Sequence, residues 1–214
     1  MPPRAPKLSR AKPPATAAKP RPKSSKLPVN WPSSLPYYTV PRFSPALSSV
    51  AGAAATPALA DLNLHARTLP GAPCALVRIK TISDPLHPAH GQAGLFAART
   101  LVAHEWILDY IGLYHTAGES DEHSDYDISL DRESGVAVDA AAGGNEGRFV
   151  NDYRGVPGRD GRGANVVFEN RRVDGQLRVG IRVGGKEIRK GEELLISYGK
   201  GFWAGRREDG GKTA

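Results

Sequence analysis

The sequence is short of cysteine, of acids in its first quarter and of long apolar runs, and each shortage excludes something. One cysteine, Cys74, stands among 214 residues, so neither an intrachain disulfide nor a cysteine-built zinc site can form. No apolar run approaches the ~20 residues of a membrane-spanning helix, and none has the form of a secretory h-region. The expectation is a soluble, intracellular chain without a membrane partner. Residues 1–60 contain no Asp or Glu, the first acid being Asp61. That stretch carries nine of the 29 Lys and Arg, which leaves 20 bases against 22 acids in residues 61–214. The formal net charge of +7 therefore describes a near-neutral body attached to a cationic arm.

Twelve of the 18 prolines lie in residues 1–45. Proline removes a backbone donor and blocks helix, and the stretch offers few apolar residues to offset the entropy of ordering. Residues 1–45 are therefore expected to be a disordered basic arm. Residues 46–73 are expected to be a linker or lead-in element with a short helix after Pro57. The ordered domain is expected over 74–205 and a flexible tail over 206–214. A Lys/Arg arm of this kind suits nucleic acid or an import receptor, with "KPRPKSSK" (Lys19 to Lys26) as the import candidate. This points to a nuclear location. A solvated tail without a partner, on a cytoplasmic protein, is the alternative.

Within the domain, short β-rich stretches alternate with turn formers. "CALVRIKTI" (from Cys74), "LFAART" (from Leu95) and "EWILDYIGLYH" (from Glu105) read as strands. "YDISLD" and "VAVDA" read as a pair of short strands around the Glu133–Gly135 turn. "NVVFENRRVDGQLRVGIRV" places Asp174-Gly175 between two β-like runs, which is a strong hairpin signal because both central residues need positive φ. "GEELLISYG" closes the series as a last strand. Helix periodicity is scarce, so the class is mainly β (α+β).

The order of the pieces is more specific than any one of them. "GQAGLFAART", "DYIG", "YDISLD", "VDAAAGGNEGRFVND", "NVVFE" and "GEELLISYGKGFW" follow one another from Gly91 to Trp203. The series resembles the SET domain of protein lysine methyltransferases. The resemblance implies a SET-type fold of small β-sheets whose C-terminal strand passes through a loop of the preceding segment in a knot-like crossing. It also implies methyl transfer from S-adenosyl-L-methionine to protein lysine, on a Lys-rich peptide or protein such as a histone tail, with no metal.

What the resemblance implies for single residues can be set beside their chemistry. Tyr198 matches the tyrosine beside the sulfonium and the target nitrogen. A phenol of ordinary pKa ~10 is a poor base near neutrality, so orienting the amine is its cheaper role. Without the surrounding motifs it would be a buried strand tyrosine. Tyr110 matches a tyrosine of the lysine channel, with Ile196 and Phe202 as further channel residues. A core aromatic is the plainer reading of Tyr110. The cofactor set is Gln92, Ala93 and Gly94 in a glycine-rich turn, Tyr126, the knuckle Arg148, Phe149, Asn151 and Asp152, and Trp203. Phe202 and Trp203 cover the adenine, wall the channel or cap the core. Asn165 matches the asparagine that opens the next strand.

Two positions depart from the family pattern. Asp152 stands where histidine is usual, and Gln92 replaces the first glycine of the "GxG" turn, with Gly91 beside it. Five carboxylates between Glu119 and Asp127 fall where the resemblance places the flank of a peptide groove, and they either attract a basic substrate or form a plain solvated loop. The departures keep a second reading open, a catalytically silent SET-like module that binds peptide or chromatin. A nucleic-acid-binding protein is a third and rests on the arm alone. A metal site from His87 and His90 is rejected for want of a third ligand.

Overall fold

The computed structural model describes residues 27–53, 73–159 and 161–199. The expected helix after Pro57, Phe202, Trp203 and the tail from 206 lie outside the described residues, as do residues 1–26 of the arm. The elements in chain order are β1 (Arg42–Phe43), α1 (Pro45–Ala53), β2 (Val77–Thr81), β3 (Ala93–Ala97), β4 (Trp106–Asp109) and β5 (Leu113–Thr116). Then come β6 (Asp127–Asp131), β7 (Val136–Asp139), a 3-10 turn (Glu146–Phe149), β8 (Asn151–Asp152), β9 (Val166–Val173), β10 (Gln176–Val183) and β11 (Leu195–Ile196). They form four small sheets, ordered β1-β5-β7-β6, β4-β10-β9, β11-β8 and β2-β3. This is the mainly β class expected. Among the described residues no helix is long and apolar enough to cross a membrane.

Local chemistry explains several junctions. Asp174 (φ 50°) and Gly175 (φ 80°) turn β9 into β10 across eight paired residues. "EWILDYIGLYH" is not one strand but two. It breaks at Gly112, where a side-chain Cβ would stand 2.2 Å from the Asp139 carbonyl oxygen. That close approach brings β5 onto β7. Gly91, at φ 79°, takes the tight turn ahead of Gln92.

The sheets close around Leu95, Leu101, Tyr114, Val138, Ile181 and Leu194, all fully buried. A buried ionic node lies beside this core. Asp109 accepts from Arg171 Nε (2.6 Å) and Arg178 (3.1 Å), and Arg178, itself wholly buried, also donates to Gln176 Oε1. Pairing of this kind is what makes a buried guanidinium tolerable.

The disordered arm expected through Pro45 fails for residues 27–45. This stretch lies along the domain as a strap. Trp31 is 8% exposed, with its ring edge-on to Tyr37 (4.9 Å) and Phe149 (5.5 Å). Arg42 and Phe43 pair in parallel with Leu113 and Tyr114. Ser44 then caps α1, its Oγ accepting from Leu47 N at 3.0 Å, with Pro45 at the first helical position. Proline here shapes an extended, packed segment instead of preventing one.

The knot-like crossing is present at β11. Tyr153 N donates to Ile196 O, and on the other edge Asn165 N donates to Leu195 O. Asn165 Oδ1 also accepts from Leu195 N at 2.7 Å. The strand therefore runs between the two ends of the 151–165 segment, held by both.

Candidate active site

Two clefts open beside Tyr198 and share part of their lining. The first, about 400 Å³, is lined by the loop His87–Ala89, by Gln92 and Ala93, and by Asp125, Tyr126, Arg148, Phe149, Asn151, Asp152, Arg154 and Tyr198. The second, about 360 Å³, is walled by Tyr110, Ile128, Val150, Phe168 and Ile196, with Asp125, Asp127 and Ser197 among its polar groups. Asp125, Tyr126, Arg148 and Tyr198 line both. The clefts thus meet at a wall made of one acid, one guanidinium and two phenols.

The knuckle that builds this wall is fixed from behind. Asn145 Oδ1 accepts from Gly147 N (3.3 Å) and from Ile111 N (3.2 Å), while its Nδ2 donates to Asp109 O (2.7 Å). Glu146 is buried and accepts from Tyr37 Oη (3.1 Å) and Cys74 N (2.8 Å). These anchors present Arg148 and Phe149 forward. Arg148 Nε donates to Ala140 O at 3.0 Å, and its guanidinium lies 4.0 Å over the Tyr126 ring. A cation stacked on an aromatic face in this way holds both side chains in place.

Tyr198 reaches the knuckle directly. Its hydroxyl donates to Val150 O at 2.9 Å and its backbone N–H donates to Asp152 Oδ2 at 2.7 Å. Burial first, and then the charges of Asp152, Tyr126 and Glu193, push the Tyr198 phenol well above its ordinary pKa. Tyr110 is 3% exposed and donates to Tyr126 O at 2.7 Å, and burial likewise raises its pKa far above the ordinary value.

Most of the residues expected to act together are therefore neighbours. Gly94 is the exception among those described. It does not line the first cleft, and a Cβ there would stand 2.6 Å from Glu193 Oε1. Its role is to let Glu193 in. Glu193 accepts from Asn151 Nδ2 (2.9 Å) and from His87 Nε2 (3.0 Å), and Ala89 N donates to His87 Nδ1 (3.0 Å), which sets the tautomer. His87 thus belongs to a hydrogen-bonded wall, and among the described residues no group of three or more His, Cys, Asp or Glu could hold a metal.

Sequence reasoning missed Asn145, Glu146, Glu193 and Arg154, and weighed His87 only as a metal ligand. All but His87 and Arg154 lie inside the quoted motifs, where two adjacent acids or an Asn-Glu pair in an otherwise apolar context was the available signal. In the acidic loop, one oxygen each of Glu119 and Asp121 and both oxygens of Asp127 are hydrogen-bonded, to Ser44 and Thr116, to His123 N, and to His115 and Ser120 respectively. Asp125 is the loop acid that faces both clefts.

A SET-domain family model matches residues 92–199, half of the chain, including the four residues shared by the two clefts. The protein is a member of the SET-domain family. Over 122 residues the SET protein is 30% identical to histone-lysine N-methyltransferase EZH2 of Chaetomium thermophilum. The match spans 51% of this chain but 7% of that relative's length. Among solved structures, it is 26% identical to a chain in the crystal structure of the Chaetomium thermophilum polycomb repressive complex 2. The TM-score is 0.47, over 59% of this chain and 16% of that one. An autoinhibited conformation of the same complex, bound to S-adenosylmethionine, matches at 24% identity and TM-score 0.47, over 63% of this chain and 17% of that one.

Proposed function

We propose that this SET protein methylates protein lysine side chains with S-adenosyl-L-methionine as donor. A Lys-rich substrate such as a histone tail, and a nuclear location, go with this reading. The observation that carries it is the meeting of two unlike clefts at Tyr198. A group transfer in line needs donor and acceptor to enter from opposite sides of one point.

The first cleft has the chemistry for the donor. Arg148 suits a carboxylate, Asp125 suits an ammonium or sulfonium, and Phe149, Tyr126 and Tyr198 offer faces for a flat ring. When bound, the donor supplies an electrophilic methyl group. The second cleft suits a lysine stem, with Tyr110 and Phe168 rings 5.7 Å apart and Ile128 and Ile196 beside them. At pH 7 only about one ordinary lysine amine in 2,500 is neutral, and desolvation between such walls raises that fraction. Tyr198 is a poor acceptor for the proton, because burial favours the neutral form of its phenol. Its hydroxyl proton is committed to Val150 O, so its oxygen lone pairs and ring are what it offers the amine and the methyl. Asp125, facing both clefts, favours a cationic substrate at the mouth.

The test is transfer of label from S-adenosyl-L-methionine to histones and to mixed nuclear protein, with donor binding measured by calorimetry. Tyr198→Phe should lower transfer about 100-fold while leaving donor affinity within about threefold. Donor or peptide binding without any transfer would replace the enzyme by a silent binding module. Absence of donor binding would overturn the reading.

A further inference from the structure

We propose that Asp152 and Arg154 form a positioning pair that fixes Tyr198 at the junction of the two clefts, so that this carboxylate governs turnover rather than donor affinity. The proposal rests on the methyltransfer reading and assigns a use to the residue that departs from the family pattern.

The argument begins with what holds Tyr198. The β8–β11 ladder pairs Asn151 with Leu195 and Asp152 with Ile196, and Tyr153 N to Ile196 O continues it by one bond. Ser197 and Tyr198 then run past the ladder and are exposed as whole residues, Tyr198 at 36%, although the Tyr198 hydroxyl is turned inward to Val150 O. Apolar packing therefore does little to hold the backbone there. Side-chain hydrogen bonds do more. Asp152 Oδ2 accepts from Tyr198 N at 2.7 Å and from Arg154 Nη1 at 2.6 Å, and Oδ1 accepts from Arg154 N at 2.8 Å. Arg154 Nη2 reaches on to Ser197 Oγ at 3.2 Å. The pair is a staple from the end of β8 to the segment that carries the phenol.

A carboxylate suits this position for a chemical reason. Three donors converge on it, and an ionised carboxylate is acceptor-only with room for all of them. A neutral imidazole offers a single acceptor nitrogen and brings a donor that would face these N–H groups. The Asp152 side chain is only 6% exposed, so its charge needs a partner, and Arg154 supplies one from a side chain 35% exposed. A small displacement of the phenol would misplace it against both clefts, and errors of about 1 Å at a reacting centre cost on the order of 100-fold in rate.

The decisive variant is Asp152→Asn, which keeps the shape and one acceptor but loses the charge and an oxygen. With saturating donor and histone substrate, kcat should fall ~10- to 100-fold while donor Kd stays within about threefold. The double variant Asp152→Asn/Tyr198→Phe should be no slower than Tyr198→Phe alone, because both changes act through one phenol. Arg154→Lys, which keeps the charge but not the fork, should fall between wild type and Arg154→Gln. The Arg154 variants serve if Asp152→Asn does not fold.

A second measurement is independent of chemistry. Hydrogen exchange at the Tyr198 amide should speed at least ~10-fold more than at the Leu195 amide in Asp152→Asn. An unchanged kcat, an additive double variant, or a large loss of donor affinity at constant kcat would overturn the proposal. So would an unchanged Tyr198 amide. If wild type transfers no methyl group but the amide still responds, the staple stands and the methyltransfer reading falls.

Discussion

Tyr198 shows how an environment sets a protonation state. Its phenol, like those of Tyr37, Tyr110 and Tyr114, is shifted upward chiefly by burial. The folded protein therefore keeps protons on these groups that an unfolded chain releases above the ordinary value of 10. Stability should fall as pH rises past about 10, and thermal unfolding followed between pH 8 and 11 should place the onset there. Glu119 gives the opposite limb. Its Oε2 accepts from Ser44 Oγ (2.7 Å), Thr116 N and Thr116 Oγ1, with the Ser44 bond first in pulling its pKa below the ordinary 4.5. A depressed carboxylate stabilises above its unfolded pKa and loses that contribution as pH falls through the folded one. Glu119→Gln should therefore have a lower Tm than wild type near neutral pH, and the difference should shrink as pH drops below about 4. Gly112 is a third single-residue case. Gly112→Ala should destabilise by about 3 kcal/mol in urea titration, because the backbone oxygen of Asp139 cannot give way.

The strap of residues 27–44 is where composition misled. Averaged over residues 1–45, proline content and missing acids describe a disordered tail. Yet the aromatic residues of that stretch, Trp31, Tyr37, Tyr38 and Phe43, all fall within thirteen positions. That cluster was the readable signal, since aromatic rings have apolar surface to bury and a solvated tail has no use for them. The β9–β10 hairpin was legible for a different reason: its turn is dictated by two adjacent residues with positive φ. Strand pairings such as β1 with β5 depend on partners 71 residues apart in the register Arg42↔Leu113, and local pattern cannot supply them. The strap also bears on the site, because Trp31 abuts Phe149, and Phe149 lines the first cleft. Trp31→Ala should cost about 3–5 kcal/mol in denaturant unfolding. It should also weaken donor binding measured by calorimetry, whereas a substitution of exposed Val29 should do neither.

The crossing at β11 joins these pieces into one mechanical unit. Rules of chain topology argue against threading a strand through a loop, so periodicity and turn chemistry alone would have led to a different architecture. The ordered series of motifs made the crossing readable, and hydrogen bonds on both edges of β11 are its physical content. Leu195 is bonded to residue 165 in both directions, and Ile196 accepts from Tyr153, so neither arm of the 151–165 segment can separate without releasing the strand. The strand in turn carries Glu193 just before it and Tyr198 just after it, which ties the Asn151 side of the first cleft and the phenol to the same strand. Local opening of any one of these stretches would have to break bonds to the other two. The amides of Tyr153, Asn165 and Leu195, distant in sequence, should therefore share one free energy of exchange equal to that of global unfolding. Native-state hydrogen exchange at rising denaturant should show the three converging on a single isotherm. If Tyr153 exchanged through a smaller opening than Leu195, the crossing would be a loose contact, and the junction of the clefts would need another source of rigidity.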